Sequence, residues 1–113
     1  MQTIVELSVY LKKAERFLSE NERNDLVSYL AFHPKSGVII KGTGGIRKLR
    51  WKIEGKGKSG GVRIIYYYYN EDIPLYLLTI FGKNEKANLS KTERNGLRKL
   101  TRKLLDYWER KIL

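Results

Sequence analysis

The sequence predicts an α+β domain: a twisted antiparallel β-sheet with two helices before it and one after it, in the order β-α-α-β-β-β-α. Three observations carry that prediction. Two Ser-x-x-Glu boxes, Ser19 to Glu22 and Ser90 to Glu93, each stand just ahead of a stretch with helical periodicity. Three runs with a period of two follow one another between those stretches, at residues 46–53, 62–69 and 75–81. The connections between the runs are short, which favours antiparallel neighbours with the helices laid on one side of the sheet. The 113 residues suffice for one core and not for two, so residues 1–113 read as a single domain.

The elements follow in order. Residues 2–9 alternate weakly and read as an edge strand, and residues 11–17 as a short helix with Leu11, Ala14, Phe17 and Leu18 inward. The helix capped by Ser19 is expected from about Glu20 to His33, where Pro34 and Gly37 stop it; Leu26, Val27, Leu30 and Phe32 form its apolar stripe. His33 fits a helix C-terminus by capping and dipole and is not expected to be a catalyst. In the run 46–53, Arg47, Leu49, Trp51 and Ile53 share one face, and Ile46, Lys48, Arg50 and Lys52 the other. The run 62–69 is β-branched and aromatic apart from Arg63, the pattern of a central strand buried on much of both faces. Asn70, Glu71 and Asp72 ahead of Pro74 make a turn into the similar run 75–81. The helix capped by Ser90 runs to about Lys111, with Leu97, Leu100, Leu104, Trp108 and Ile112 inward; Gly96 weakens it by about 1 kcal/mol relative to alanine.

Charge is the informative part of the composition. Lysine and arginine number 23 against 12 acidic residues, a net charge of +11. Residues 1–40 are neutral overall, whereas residues 41–63 hold eight basic residues against Glu54 alone, and residues 83–113 hold ten against four. Such a field attracts polyanions, so nucleic acid is the favoured partner. The absence of cysteine excludes disulfides, thiolate zinc sites and a cysteine nucleophile, and His33 as the one histidine excludes a two-histidine ribonuclease centre. Acidic residues are scattered, so neither a metal nor another cofactor is expected. No apolar stretch approaches the roughly 20 residues needed to span a bilayer, and the N-terminus has no signal-peptide pattern, so the expectation is a cytoplasmic protein without a membrane partner.

Several residues are candidates for chemistry. The glycine-rich stretches 42–45 and 55–61 lack P-loop spacing and each precedes a strand, which sets nucleotide binding aside; Lys56 and Lys58 in the second suit contact with a phosphate backbone. Arg63 opens an otherwise uncharged strand, and its fork geometry suits phosphate oxygens, with Lys56, Lys58 and Lys83 converging from neighbouring segments. Lys48, Arg50 and Lys52, on one face of their strand, are candidate RNA-binding residues. Of Tyr66, Tyr67, Tyr68 and Tyr69, alternation puts one pair in the core and leaves the other free to stack on a base.

Three blocks in order carry a resemblance: Gly42-Thr43-Gly44-Gly45-Ile46-Arg47-Lys48-Leu49-Arg50, then residues 55–67 from Gly55-Lys56-Gly57-Lys58 to Val62-Arg63-Ile64-Ile65-Tyr66-Tyr67, then Leu77-Leu78-Thr79-Ile80-Phe81-Gly82-Lys83-Asn84-Glu85. Together they resemble HigB-type toxins of the RelE/ParE superfamily. The resemblance implies a twisted antiparallel sheet flanked by helices and a small toxin that cuts mRNA on the translating ribosome. It also implies a cognate antitoxin, often a helix-turn-helix DNA-binding protein. By the same resemblance Arg63 stands where these toxins place a strand arginine on the scissile phosphate, Lys56 and Lys58 match the lysines of the preceding segment, and Lys83 lies in a matching Gly-Lys motif. Asn84, Phe81 and Ser90 depart from the pattern, at places where related toxins carry an arginine or a tyrosine.

The expected reaction is metal-independent attack of a ribose 2′-hydroxyl on the adjacent phosphate. Arg63 and the lysines would stabilise the charge, and a lysine, Tyr67, Tyr68 or Glu85 would move the protons. Two other classes stay open: a non-catalytic basic RNA-binding module, for which a basic cluster at the start of the last helix is diluted by Glu85 and Glu93, and a ParE-like gyrase poison, which has little need of the dense cluster at 41–63.

Overall fold

A computed structural model describes residues 1–53, 61–83, 85 and 88–112. Its elements are β1 (Ile4–Glu6), α1 (Ser8–Phe17), α2 (Glu20–Phe32), β2 (Val38–Ile39), β3 (Ile46–Trp51), β4 (Val62–Tyr67), β5 (Leu75–Gly82) and α3 (Lys91–Ile112). Both capping boxes close. The Ser19 hydroxyl accepts from the Glu22 amide at 3.2 Å while the Glu22 carboxylate accepts from the Ser19 amide at 2.9 Å. Ser90 and Glu93 repeat the pair at 3.1 and 2.9 Å.

The five strands lie in the order β1-β5-β4-β3-β2. The α+β class and the helix–strand succession hold, with β2 as an added two-residue edge strand. The sheet is mixed rather than wholly antiparallel, because β1 pairs with β5 in parallel while the other three pairings are antiparallel. Topology gives the reason: α1 and α2 carry the chain from one edge of the sheet to the other, and the meander β2–β5 then reverses three times and returns beside β1 running the same way.

The helices cover both faces, not one. Tyr10, Ala14 and Leu18 of the α1 segment and Leu26 and Leu30 of α2 pack on Ile64, Tyr66, Leu75, Leu77 and Ile80. On the opposite face, Leu97, Leu100, Leu104, Leu105 and Trp108 of α3 pack on Ile46, Ile65, Tyr67, Tyr76 and Leu78. A strand that is apolar on alternate residues in both phases needs cover on both sides, and β4 and β5 are such strands. An extra residue, Leu78, interrupts the β4–β5 register between the Ile65–Thr79 and Tyr66–Leu77 pairs. This bulge resets the phase of β5, so that Leu77 and Ile80 both face the α1–α2 side.

β4 stops at Tyr67 because the Asn70 side chain accepts from the amides of Asp72 and Ile73, at 2.9 and 3.1 Å, and turns the chain. The four tyrosines therefore do not form two alternating pairs: Tyr66 and Tyr67 are buried on opposite faces, Tyr68 is half-buried and Tyr69 is exposed. Phe32, expected inward, is also exposed. Among the described residues no helix is long and apolar enough to cross a membrane.

Candidate nucleic-acid interface

The β3–β4 register sets Arg50 directly opposite Arg63 and Lys48 opposite Ile65. Alternation then puts Lys48, Arg50 and Arg63 on the α3 face. Lys83 follows the last residue of β5, and its amide donates to the Gly61 carbonyl at 3.3 Å, which ties it to the start of β4. These four cations line one open groove of about 800 Å³, together with Ser36, Val38, Leu49 and Asn88. Among the described residues no acidic side chain lines it. Like charges directly opposite each other on a sheet destabilise it, by up to about 1 kcal/mol for a pair, so the Arg50–Arg63 pairing is a local conflict that a bound anion relieves.

α3 leaves this end of the sheet open. The helix starts at Lys91, and Asn88, just ahead of the Ser90 cap, accepts a hydrogen bond from the Lys48 ammonium at 2.9 Å. The opposite wall is held from beneath. The Tyr66 hydroxyl donates to the Pro34 carbonyl and accepts from the Gly37 amide, both at 2.8 Å. The Arg47 guanidinium donates to the carbonyls of Lys35 and Gly37 at 3.1 and 2.8 Å. A Cβ on Gly37 would stand 2.8 Å from the Tyr66 ring, so only glycine fits under that wall. Burial raises the Tyr66 pKa, against the lowering effect of the Gly37 amide.

The groove thus brings together Arg63, Lys83, Lys48 and Arg50 of the sequence candidates. Lys56 and Lys58 lie outside the described residues. Lys52 is exposed just beyond β3 and does not line the groove. Tyr67 shares the face of Arg63 but stands four residues along β4, about 13 Å away. Burial, then Tyr69 and Glu109, raise its pKa. Tyr68 belongs to a different corner, beside Gln2, Ala31 and Pro34. Glu85 turns its carboxylate back onto the Gly82 amide, at 3.4 Å, and is outside the groove lining.

Sequence reasoning missed Ser36 and Asn88 as groove residues and Tyr66, Arg47 and Gly37 as its supports. The first two carry no signal in one sequence. For Arg47, its place on the apolar face of β3 was the available sign, since a guanidinium there has to find internal acceptors. Among the described residues no group of three or more histidine, aspartate or glutamate side chains stands where it could hold a metal ion.

Comparison with known proteins agrees with this architecture. E. coli toxin RelE, solved in the free state as a double arginine-to-alanine mutant, superposes with a TM-score of 0.54 at 14% identity, covering 75% of this chain and 86% of that one. At that identity the likeness speaks for the fold. A family model described as the RelE toxin of the RelE/RelB toxin–antitoxin system matches residues 34–113, from the segment under the groove wall to the end of the chain. The chain belongs to the RelE toxin family and is the toxin of a toxin–antitoxin system.

Proposed function

We propose that this toxin is an endoribonuclease that cuts mRNA on the translating ribosome, with the groove as its active site and Arg63 as the residue that grips the scissile phosphate. The carrying observation is the convergence of Arg63, Arg50, Lys48 and Lys83 on one groove, with no acidic residue among the described residues of its lining. In the reaction the 2′-oxygen bonds to phosphorus, the bond from phosphorus to the 5′-oxygen breaks, the 2′-proton leaves to a base and the 5′-oxygen gains a proton. The products are a 2′,3′-cyclic phosphate and a 5′-hydroxyl. The pentacoordinate intermediate carries extra negative charge, and a guanidinium fork with flanking ammonium groups stabilises that charge more than it stabilises the substrate.

In this reading Lys83 and Lys48, which line the groove, donate to phosphate and leaving-group oxygens. None of Tyr67, Tyr68 and Glu85 lines the groove, so the reading rests on electrostatic stabilisation and on substrate geometry imposed by the ribosome, and it calls for no metal. The three sequence blocks at 42–85 further favour the HigB type, with residues 1–113 as one toxin unit and an antitoxin as its cognate partner.

The test is Arg63→Ala. Growth arrest and codon-linked cuts, read by primer extension on translated mRNA, should fall by about 100-fold or more, with the protein still folded by circular dichroism. Full cleavage by the folded variant would falsify the assignment. Gyrase–DNA adducts in place of cuts would identify a poison of DNA topology, and RNA binding without cuts a binding module.

A further inference from the structure

A second cleft, of about 380 Å³, opens on the α3 face beyond the far end of β3. Gly42 and Gly44 of the turn between β2 and β3 form one wall, Arg98 and Arg102 of α3 the other, and Tyr67 comes from the sheet. The two glycines take φ of +80° and +76°. Nothing lies within 4 Å of where a Cβ would stand on either, so the backbone of the turn faces open space. Arg98 and Arg102 are one helical turn apart, exposed and on the same side of α3. Arg98 reaches the Gly42 carbonyl only at 3.4 Å, and among the described residues no acidic side chain lines the cleft. Burial keeps the Tyr67 phenol protonated well above neutral pH, where it is a hydrogen-bond donor.

The cleft is joined to the groove by charge. Arg94, Arg98 and Arg102 recur every four residues along the helix that starts beside Asn88, the partner of Lys48. At 1.5 Å per residue, Arg98 and Arg102 lie about 11 and 17 Å from Lys91. A strand of several nucleotides leaving the groove along α3 reaches the cleft.

We propose that this cleft is a second phosphate-binding site, in which Arg98 and Arg102 hold the phosphodiester backbone of an RNA strand beyond the segment that lies in the groove. The inference rests on the RNA-cleaving reading above and assigns a positioning role to residues remote from the cut.

The experiment measures binding of uncleavable 2′-O-methyl RNA by fluorescence anisotropy across a salt series. One oligonucleotide is short enough to fill the groove alone, and another is long enough to reach the cleft. Arg98→Gln/Arg102→Gln should weaken the long RNA by roughly tenfold or more and leave the short one unchanged. The slope of log affinity against log salt should fall by about 1.4, for two phosphate contacts on a single strand. Lys99→Gln/Lys103→Gln removes the same charge from the same helix without touching the cleft and should do far less.

Co-sedimentation with message-free ribosomes separates the two sources of phosphate: a loss there, with the long oligonucleotide unaffected, assigns the cleft to ribosomal RNA. Equal losses in the two double variants, no loss on either RNA, or a loss confined to an acidic protein partner would overturn the proposal. Because the RNA cannot be cut, these results are independent of Arg63→Ala: cleavage by that variant would sink the enzymatic reading and leave the binding result standing.

Discussion

Strands β3 and β4 present arginines to both faces of the sheet, and the two faces treat them differently. On the α1–α2 face, Arg47 donates to the carbonyls of Lys35 and Gly37 and helps hold the groove wall. On the α3 face, Arg50 and Arg63 stand opposite each other with Lys48 and Lys83 beside them and, among the described residues, no acidic side chain in the groove lining. One guanidinium spends its Nη1 on two carbonyls of the protein itself. The others stand among like charges and line an open groove. Residue type does not distinguish the two roles; the distribution of hydrogen-bond acceptors around each side chain does.

The largest expected effect is the split between Arg63→Ala and Arg47→Ala. The first should cut mRNA cleavage by about 100-fold or more while leaving denaturant unfolding unchanged or slightly more resistant, since it removes a cross-strand repulsion. The second should lower unfolding stability by roughly 1 kcal/mol, because the half-buried Gly37 carbonyl and the exposed Lys35 carbonyl lose a charged donor. Folded Arg47→Ala protein should retain measurable cleavage. Cleavage assays and urea titrations on both variants check this, and the reverse pattern would mean that the two faces have been assigned the wrong roles.

Much of the fold was legible because it rests on local signals. Two Ser-x-x-Glu boxes start α2 and α3, and the alternation in residues 46–53 separates Lys48 and Arg50 from Arg47 and Leu49, as the β3 pairing bears out. The doubly apolar pattern of β4 already implied cover on two faces. Placing the helices on one side overlooked what that pattern requires. The parallel pairing of β1 with β5 depends on contacts between segments about 70 residues apart, which no local window contains, and the bulge at Leu78 depends on the register β5 takes against β4. In the candidate site, Arg63 stood out as a charge at the mouth of an apolar strand. Ser36 and Asn88 did not, because polar loop residues join a groove only through tertiary placement. The tyrosines were misjudged as a matched set because the Asn70 turn ends β4 two residues early.

Alkaline pH probes both cores at once. Tyr10 and Tyr66 on one face and Tyr67 on the other all have phenol pKa values raised, chiefly by burial. The folded state therefore holds these protons to higher pH than the unfolded chain, in which tyrosine titrates near 10. Their contribution to stability is complete below about pH 10 and is lost as pH climbs through the folded-state values. Urea unfolding followed from neutral to strongly alkaline pH should show that fall. Tyr10→Phe should flatten it at little cost at neutral pH, because the buried Tyr10 hydroxyl has no hydrogen-bond partner among the described residues. An unchanged alkaline limb in Tyr10→Phe would remove that residue from the account.

The smallest effect compares the two caps. Ser19→Ala and Ser90→Ala each delete a hydroxyl that accepts an orphan amide in the first turn, and each should cost about 1 kcal/mol of stability. Their functional consequences should differ. Ser19 starts a helix on the covered α1–α2 face, whereas Ser90 starts α3 two residues from Asn88, the partner of the groove lysine Lys48. Fraying at Ser90 loosens that contact and shifts the groove's edge; fraying at Ser19 does not reach it. Ser90→Ala should therefore lower cleavage by a few-fold under conditions where both variants are fully folded, and Ser19→Ala should leave it unchanged. Equal cleavage by the two would mean that the start of α3 covers the sheet without shaping the groove.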